Sequence, residues 1–432
     1  MARIRMAYVG GGSTRAPGTM ASFIDQGENF AGSEVVLIDL DPERLDLVAN
    51  LARKMADCAG IDLRITATTD RRAGLADCDA VLSSYRPGGF PARHFDESIP
   101  RRHGVIGQET QGPGGFFMAL RSLHVMRGIV EDIEAVAPRA VIFNYTNPVN
   151  IVAQAVTQFS GVPLISLCEG PIIYSGELAE AAGLDPARLQ ADCIGLNHAS
   201  WSVRQQYDGQ DAMPLLAEAW ERRKDDPGLK PATRRMWEVA LAVGSMPSEY
   251  MQYYFFERDL VEYFRAKPTT RSEDIMSWVP DYWTHYREQL DATCPHLDPA
   301  RSRGGIHELE LAIDCMDAIY NDRNETMPVN VPNRGAIPGL PDACVVETVG
   351  LVNARGVAPL ALGPLPAGAR SLTGALAEYQ MLAADAAWNG TRKEAIMALA
   401  SNPLCRDLPT ATKIYDELAA AHRDLLPARL LA

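Results

Sequence analysis

The chain has 432 residues, 47% of them hydrophobic and 22% charged, and a formal net charge of -14. That length suits roughly two domains with sizeable cores, and the acidity excludes a general nucleic-acid binder. No run of about 18 apolar residues occurs, so no membrane span is expected.

Residues 3–9 read as a strand that enters Gly10-Gly11-Gly12-Ser13, with a helix following from about Pro17. Glu34 to Asp39 is a second buried strand and Pro42 to Ala56 an amphipathic helix. Short strands follow at Leu63–Ala67 and Ala80–Ser84, then a long helix over Phe116–Ala135 and a strand over Ala140–Asn144. This alternation predicts an α/β fold with a Rossmann-like, doubly wound parallel sheet. Beyond Cys193 the texture changes to helical stretches, Leu215–Arg223 and Thr233–Val243, and aromatic-rich segments, Tyr250–Phe256 and Trp278–Tyr286. A boundary near 195 therefore divides a nucleotide-binding domain, 1–195, from a second domain, 196–432. A last helical run is expected over Ser371–Met397. The start Met1-Ala-Arg-Ile-Arg carries no secretory leader, which predicts a cytoplasmic protein. The eight cysteines form no CxxC pair, and each is expected as a reduced thiol.

Strand, glycines, then helix is a pyrophosphate site: glycine admits close approach, and the helix N-terminus supplies free N–H donors. Gly10, Gly11, Gly12 and Ser13 are the candidate cradle. Arg15 takes the last position of GxGxxG, so the fingerprint is incomplete. Asp39 closes the second strand, where a carboxylate accepts bonds from a ribose diol and repels a 2′-phosphate. NAD is thus favoured over NADP, although Arg15 keeps NADP open.

Polar clusters stand at other predicted strand ends: Arg86 to Glu97, Asn144 to Asn147, Cys168 to Pro171, and Gly195 to His198. Cys168 and His198 each follow an apolar strand. A thiolate and a neutral imidazole suit a borderline-soft divalent metal, with substrate oxygens and water completing the shell. The ordinary alternative is two core residues 30 positions apart.

The chain resembles the family-four glycoside hydrolases, the NAD- and metal-dependent glycosidases, over nearly its whole length. The matching stretches run in order: GGGS (10–13), VLIDLD (36–41), DESIPRRHGVIGQETQGPGG (96–115), NYTNPVNIV (144–152), SLCEGPI (166–172) and GLNHASW (195–201). SEYMQYY (248–254), RGG (303–305), AIYND (318–322) and VNVPNRGAIPGLP (329–341) complete the series. The resemblance implies a lactate/malate dehydrogenase-like architecture, with an α+β second domain that completes the substrate and metal site and forms the oligomer, a homodimer or homotetramer.

It also implies a reaction unlike that of two-carboxylate glycosidases. NAD takes hydride from C3, the resulting ketone acidifies the C2 proton, a tyrosinate removes it, and the C1 group is eliminated. Water adds back and NADH reduces C3. Cys168 and His198 match the metal ligands, usually for manganese, and the metal would bind the C2 and C3 oxygens. Tyr250 is the expected base, with Tyr253 and Tyr254 as competitors on neighbouring turns. Asn147 and Arg93 match substrate-binding residues. Arg93 has an ordinary alternative, an ion pair with Asp96 or Glu97. Arg271 matches an arginine that holds a substrate phosphate; its ordinary alternative is a solvated surface arginine.

Gly107–Thr110 looks like the 6-phospho-glycosidase branch, and the second-half motifs look most like 6-phospho-β-glucosidases. Two positions depart from the pattern. Glu169, a candidate general acid, stands where β-type enzymes carry Asn and α-type carry Asp; His307 replaces an aromatic residue. Anomer and phosphate dependence therefore stay open between 6-phospho-β-glucosides, 6-phospho-α-glucosides and free glucosides. A more distant rival is an NAD-dependent 2-hydroxyacid dehydrogenase.

Overall fold

The computed structural model describes residues 1–303, 310–405 and 407–432; His307 lies outside them. The first half winds as β1 (Arg5–Val9), α1 (Ala16–Asp25), β2 (Ser33–Ile38), α2 (Pro42–Ala59), β3 (Leu63–Thr68), α3 (Arg71–Leu75) and β4 (Ala80–Ser83). It continues with α4 (Gly89–Arg102), α5 (Gly112–Val136), β5 (Val141–Asn144), α6 (Val149–Phe159), β6 (Leu164–Ser166) and α7 (Gly170–Ala181). Strand order β3-β2-β1-β4-β5-β6 is all parallel. Met6, Ala7 and Tyr8 of β1 are fully buried, because helices cover both faces of a parallel sheet and its strands read as continuous apolar runs.

The second half adds β7 (Leu189–Leu196), β8 (Ala199–Tyr207), β9 (Gln210–Asp211), α8 (Met213–Arg223), α9 (Pro231–Val243), α10 (Gln252–Phe255), α11 (Glu257–Ala266) and α12 (Arg271–Asp291). After these come α13 (Glu310–Tyr320), β10 (Glu325–Pro332), β11 (Val345–Asn353), β12 (Gly356–Pro359), α14 (Arg370–Trp388), α15 (Arg392–Ser401) and α16 (Leu408–Ala421). These strands pair antiparallel, and Asn330 of β10 pairs with Ser166 of β6, so a single sheet of 12 strands runs through both halves. The boundary expected near 195 falls inside β7.

Three local differences from the sequence reading have physical causes. The run 371–397 is two helices, because Asn389-Gly390 ends α14 and Thr391 with Glu394 forms a capping box that starts α15. Residues 89–102, read only as a polar cluster, form α4 behind a left-handed Gly88 (φ 78). Cys58 and Cys294 are joined as a disulfide rather than held as thiols. The end of α2 packs on α12, where Lys54 donates to the Leu290 carbonyl at 2.7 Å, and this brings two cysteines 236 positions apart to a Cα separation of 5.8 Å. The other six cysteines are free. No helix among the described residues is long and apolar enough to cross a membrane.

Candidate active site

The strand order reverses between β1 and β4, and open α/β sheets bind ligands at such a point, beyond the carboxyl ends of the strands. Gly10 (φ 99) turns the chain there. The N–H groups of Gly10 and Gly11 both donate to the Ile38 carbonyl, at 2.9 and 3.0 Å. A Cβ on Gly10 would stand 2.2 Å from the Ser84 carbonyl oxygen, and one on Gly12 would stand 2.9 Å from Asp39 Cγ. Only glycine lets the loop lie this close to β2 and β4. Asp39 Oδ2 accepts from Gly12 N at 2.9 Å and Oδ1 from Leu40 N at 2.7 Å, so backbone donors orient the carboxylate. Ser13 Oγ is buried with no hydrogen-bond partner. A glycine turn free of side chains, an orphaned hydroxyl and an anchored carboxylate fit a dinucleotide. Asp39→Ala is expected to weaken NAD binding about 10- to 100-fold, the size of a lost charged hydrogen bond. Fluorescence titration checks it, and an unchanged Kd contradicts it.

The metal corner lies further along the sheet. Cys168 follows β6 and precedes the N-terminus of α7, whose Gly170 N–H donates to its sulfur at 3.4 Å. His198 sits with Asn197 in the two-residue turn between β7 and β8, in the left-handed region (φ 64). Histidine is one of the few side-chain-bearing residues enriched there. His198 Nε2 is 3.9 Å from Cys168 Sγ. On the other ring nitrogen, Nδ1 faces Thr110 Oγ1 at 3.1 Å. With Nδ1–H donating to that hydroxyl, the Nε2 lone pair is left toward the cysteine, the tautomer a metal ligand needs. Burial lowers the His198 pKa to about 3, which keeps the imidazole neutral. Burial, then Glu347 and Glu169, push the Cys168 thiol up to about 12. No group of three or more His, Cys, Asp or Glu suited to a metal gathers among the described residues. A thiol and a neutral imidazole fit a divalent ion only if its remaining ligands come from outside these two side chains.

Tyr250 stacks flat on His198, with ring centroids 3.7 Å apart and an interplanar angle of 11°. Desolvation raises its pKa, with Cys168 and Glu109 adding to the rise. A hydrogen bond from Tyr174 opposes the rise, the polarity that favours a phenolate at Tyr250. Tyr253 instead stacks on Phe264, and the Tyr254 hydroxyl donates to Gln111 Oε1 at 2.7 Å. The helical spacing of the three tyrosines left their roles open, and only Tyr250 has its ring against the cysteine–histidine pair.

Arg93 is buried on α4. Its Nε donates to Glu97 at 2.7 Å and its NH1 lies 3.0 Å from Glu109. Asp96 takes no part in this pair and instead binds Arg121 and His422. Glu109 belongs to the 96–115 stretch, and nothing in its sequence neighbourhood marks a role. It is the hub of a basic cluster: Arg86, Arg93, Arg303 and Arg15 hold its carboxyl down at about 2 against the cost of burial. Burial, then repulsion from Arg15 and Arg86, lowers Arg303 to about 9. Glu169 sits at the N-cap of α7 and accepts from the Tyr145 hydroxyl at 2.5 Å. Asn147 is half-buried beyond β5, its carbonyl held by Ser122 Oγ at 2.9 Å. Arg271 is not drawn into the corner. It is exposed at the start of α12, its guanidinium 4.8 Å from the Trp278 ring centroid.

Glycine cradle, soft two-donor corner and stacked tyrosine define an α/β enzyme built for a dinucleotide and a divalent ion. The chain belongs to the family 4 glycosyl hydrolases: the Family 4 glycosyl hydrolase model matches residues 5–184 and the Family 4 glycosyl hydrolase C-terminal domain model residues 193–405. The probable 6-phospho-beta-glucosidase of Bacillus subtilis is 33% identical over 98% of this chain and 97% of its own length. A 6-phospho-alpha-glucosidase from gut microorganisms, solved with NAD and Mn2+, superposes with a TM-score of 0.87 at 25% identity, covering 98% of this chain and 99% of its own. The 6-phospho-beta glucosidase of Thermotoga maritima, solved with NAD and glucose-6-phosphate, gives 0.86 at 26% identity, with the same coverage. A lactate dehydrogenase from a deep-sea metagenome, at 0.55 and 13%, shares the fold alone.

Proposed function

We propose that this enzyme hydrolyses β-glucosides phosphorylated at O6, through oxidation at C3, deprotonation at C2 and elimination at C1. The observation that carries the reading is Tyr250 lying flat on His198 beside Cys168, in a chain similar to glucosidases solved with NAD, Mn2+ and glucose-6-phosphate. NAD, held by Gly10, Gly11, Gly12, Ser13 and Asp39, supplies a reversible hydride acceptor. A divalent ion, Mn2+ by likeness to the gut enzyme, would be held by Cys168 and His198 and supplies Lewis acidity and a positive field against which a phenol ionises.

The chain's own groups do the rest. Tyr250 takes the C2 proton once C3 is a ketone, and Tyr174 steadies the phenolate. Glu169, oriented by Tyr145, protonates the departing oxygen. Asn147 orients sugar hydroxyls. Arg86, Arg93 and Arg303 outnumber Glu97 and Glu109, the carboxylates beside them, and planar guanidinium forks suit a phosphate dianion. We assign the phosphate to this cluster, with Arg271, stacked on Trp278, as the second candidate. Elimination after C2 deprotonation demands no backside displacement, so Glu169 tolerates either anomer chemically; the β preference rests on the β-type relatives. We place the nucleotide-binding part at 1–195 and the part that completes the site at 196–432. The enzyme is proposed to work in the cytoplasm as a homodimer or homotetramer. Exposed Ile172 and Ile173 on α7 support burial against a second copy.

Nitrophenyl glycosides test the substrate. With NAD, Mn2+ and a reductant, the β-glucoside 6-phosphate is expected to turn over at least about tenfold faster than its α counterpart or either free glucoside, since each tenfold needs only ~1.4 kcal/mol. Turnover of the free sugars at equal rates contradicts the role given to the arginine cluster.

A further inference from the structure

Glu347 is a carboxylate at the centre of the sheet, 1% exposed, and the reaction outlined above does not use it. It stands on β11, opposite Gly195 of β7 and Asn330 of β10. Its Oε1 accepts from Asn197 Nδ2 at 2.9 Å and Asn330 Nδ2 at 3.3 Å, and Ser200 bonds it as well. Each partner is tied to the metal corner. Asn197 immediately precedes His198 in the β7–β8 turn. Asn330 pairs with Ser166, two residues before Cys168. Asn197 and Asn330 are 4% and 1% exposed, and the side-chain carbonyl oxygen of each makes no hydrogen bond. Both amide groups donate to Glu347, and Asn197 also bonds Cys168, while each side-chain carbonyl stays unmet, a costly arrangement in a sheet interior.

Glu347 bonds to a residue on each arm of the corner, Asn197 beside His198 and Asn330 opposite Ser166. Cys168 and His198 come from strands that are not neighbours, because β10 and β11 lie between β6 and β7. Their separation is thus set by four strands, and one carboxylate oxygen bonds to Asn197 in the β7–β8 turn and to Asn330 within β10. From this geometry we infer that Glu347 is a positioning residue: through Asn197 and Asn330 it holds Cys168 and His198 at the spacing that a divalent cation requires. The inference rests on the reading of Cys168 and His198 as metal donors. Outer partners of this kind carry a large part of a site's affinity, typically 10- to 100-fold.

The test is Mn2+ binding to NAD-saturated protein, followed by the loss of the free-ion electron paramagnetic resonance signal. The near-ultraviolet thiolate-to-cobalt band after Co2+ loading is read alongside. Glu347→Ala is expected to weaken Mn2+ binding at least about tenfold and to diminish the cobalt band, with NAD affinity unchanged. Glu347→Gln keeps an acceptor for both amides and is expected to stay within about threefold of the unaltered protein, by the same reasoning. Asn197→Ala, which leaves every strand pairing in place, carries the same test should Glu347→Ala fail to fold, and is expected to show the same loss. Glu347→Ala or Asn197→Ala with unaltered Mn2+ affinity and cobalt band overturns the inference alone. If Cys168→Ala binds both ions as the unaltered chain does, the metal-donor reading falls, and the inference with it.

Discussion

Cys168→Ala and His198→Ala are each expected to lower glycoside turnover by about a thousandfold or more, because Lewis-acid stabilisation of developing oxyanions is worth several kcal/mol. The two side chains lie 3.9 Å apart, so losing either leaves one of the two proposed protein ligands. NAD affinity is expected to hold, since the glycine loop shares no hydrogen bond with this corner among the described contacts. Steady-state rates across a Mn2+ titration, paired with NAD fluorescence titration, check both halves. Full activity of Cys168→Ala in chelator contradicts the role. A matched loss of NAD binding would instead point to misfolding.

Tyr250→Phe is expected to lower kcat by about 10²- to 10⁴-fold, the span of a lost general base. The substitution removes one oxygen and keeps the ring, so the stacking on His198 and the fold should persist. Exchange of the substrate's C2 proton with deuterated solvent should disappear with it. Tyr253→Phe is expected to exchange normally, because that ring packs on Phe264. Tyr254→Phe cuts the bond to Gln111, which lies 3.5 Å from His198 Nδ1, and is expected to weaken metal binding while sparing exchange at saturating Mn2+. Normal exchange in Tyr250→Phe would move the base elsewhere.

The parallel half of the fold was readable because its signals are local. Apolar runs of four to six residues, a glycine turn and an acid at the end of the second strand each lie within one window. The antiparallel half was not, because its pairings join distant positions, Asn330 to Ser166 and Glu347 to Gly195. The tie between Cys58 and Cys294 was hidden for the same reason. In the α14–α15 run the stop signal was present, Asn389-Gly390-Thr391 with Glu394, and helical periodicity masked it. At the site, the residues alone left Cys168 and His198 open between a metal pair and two core residues; the family resemblance favoured the metal pair, and β6 and the β7–β8 turn bring them together. The i,i+4 ion pair considered for Arg93 does exist, with Glu97, alongside its contact with Glu109. The exposed position considered for Arg271 is also the one observed. The arginine cluster could not be read, because its members are spread over 15, 86, 93 and 303 and converge only through Glu109.

The central claim is that cleavage proceeds through C2 deprotonation with NAD returned unchanged. Nuclear magnetic resonance of the glucose 6-phosphate released in deuterated water, with NADH absorbance followed during turnover, tests it most directly. The account predicts deuterium at C2 of the product, no net NADH, and no turnover when NAD is stripped. Product carrying only protium at C2, released at full rate without NAD, would contradict it.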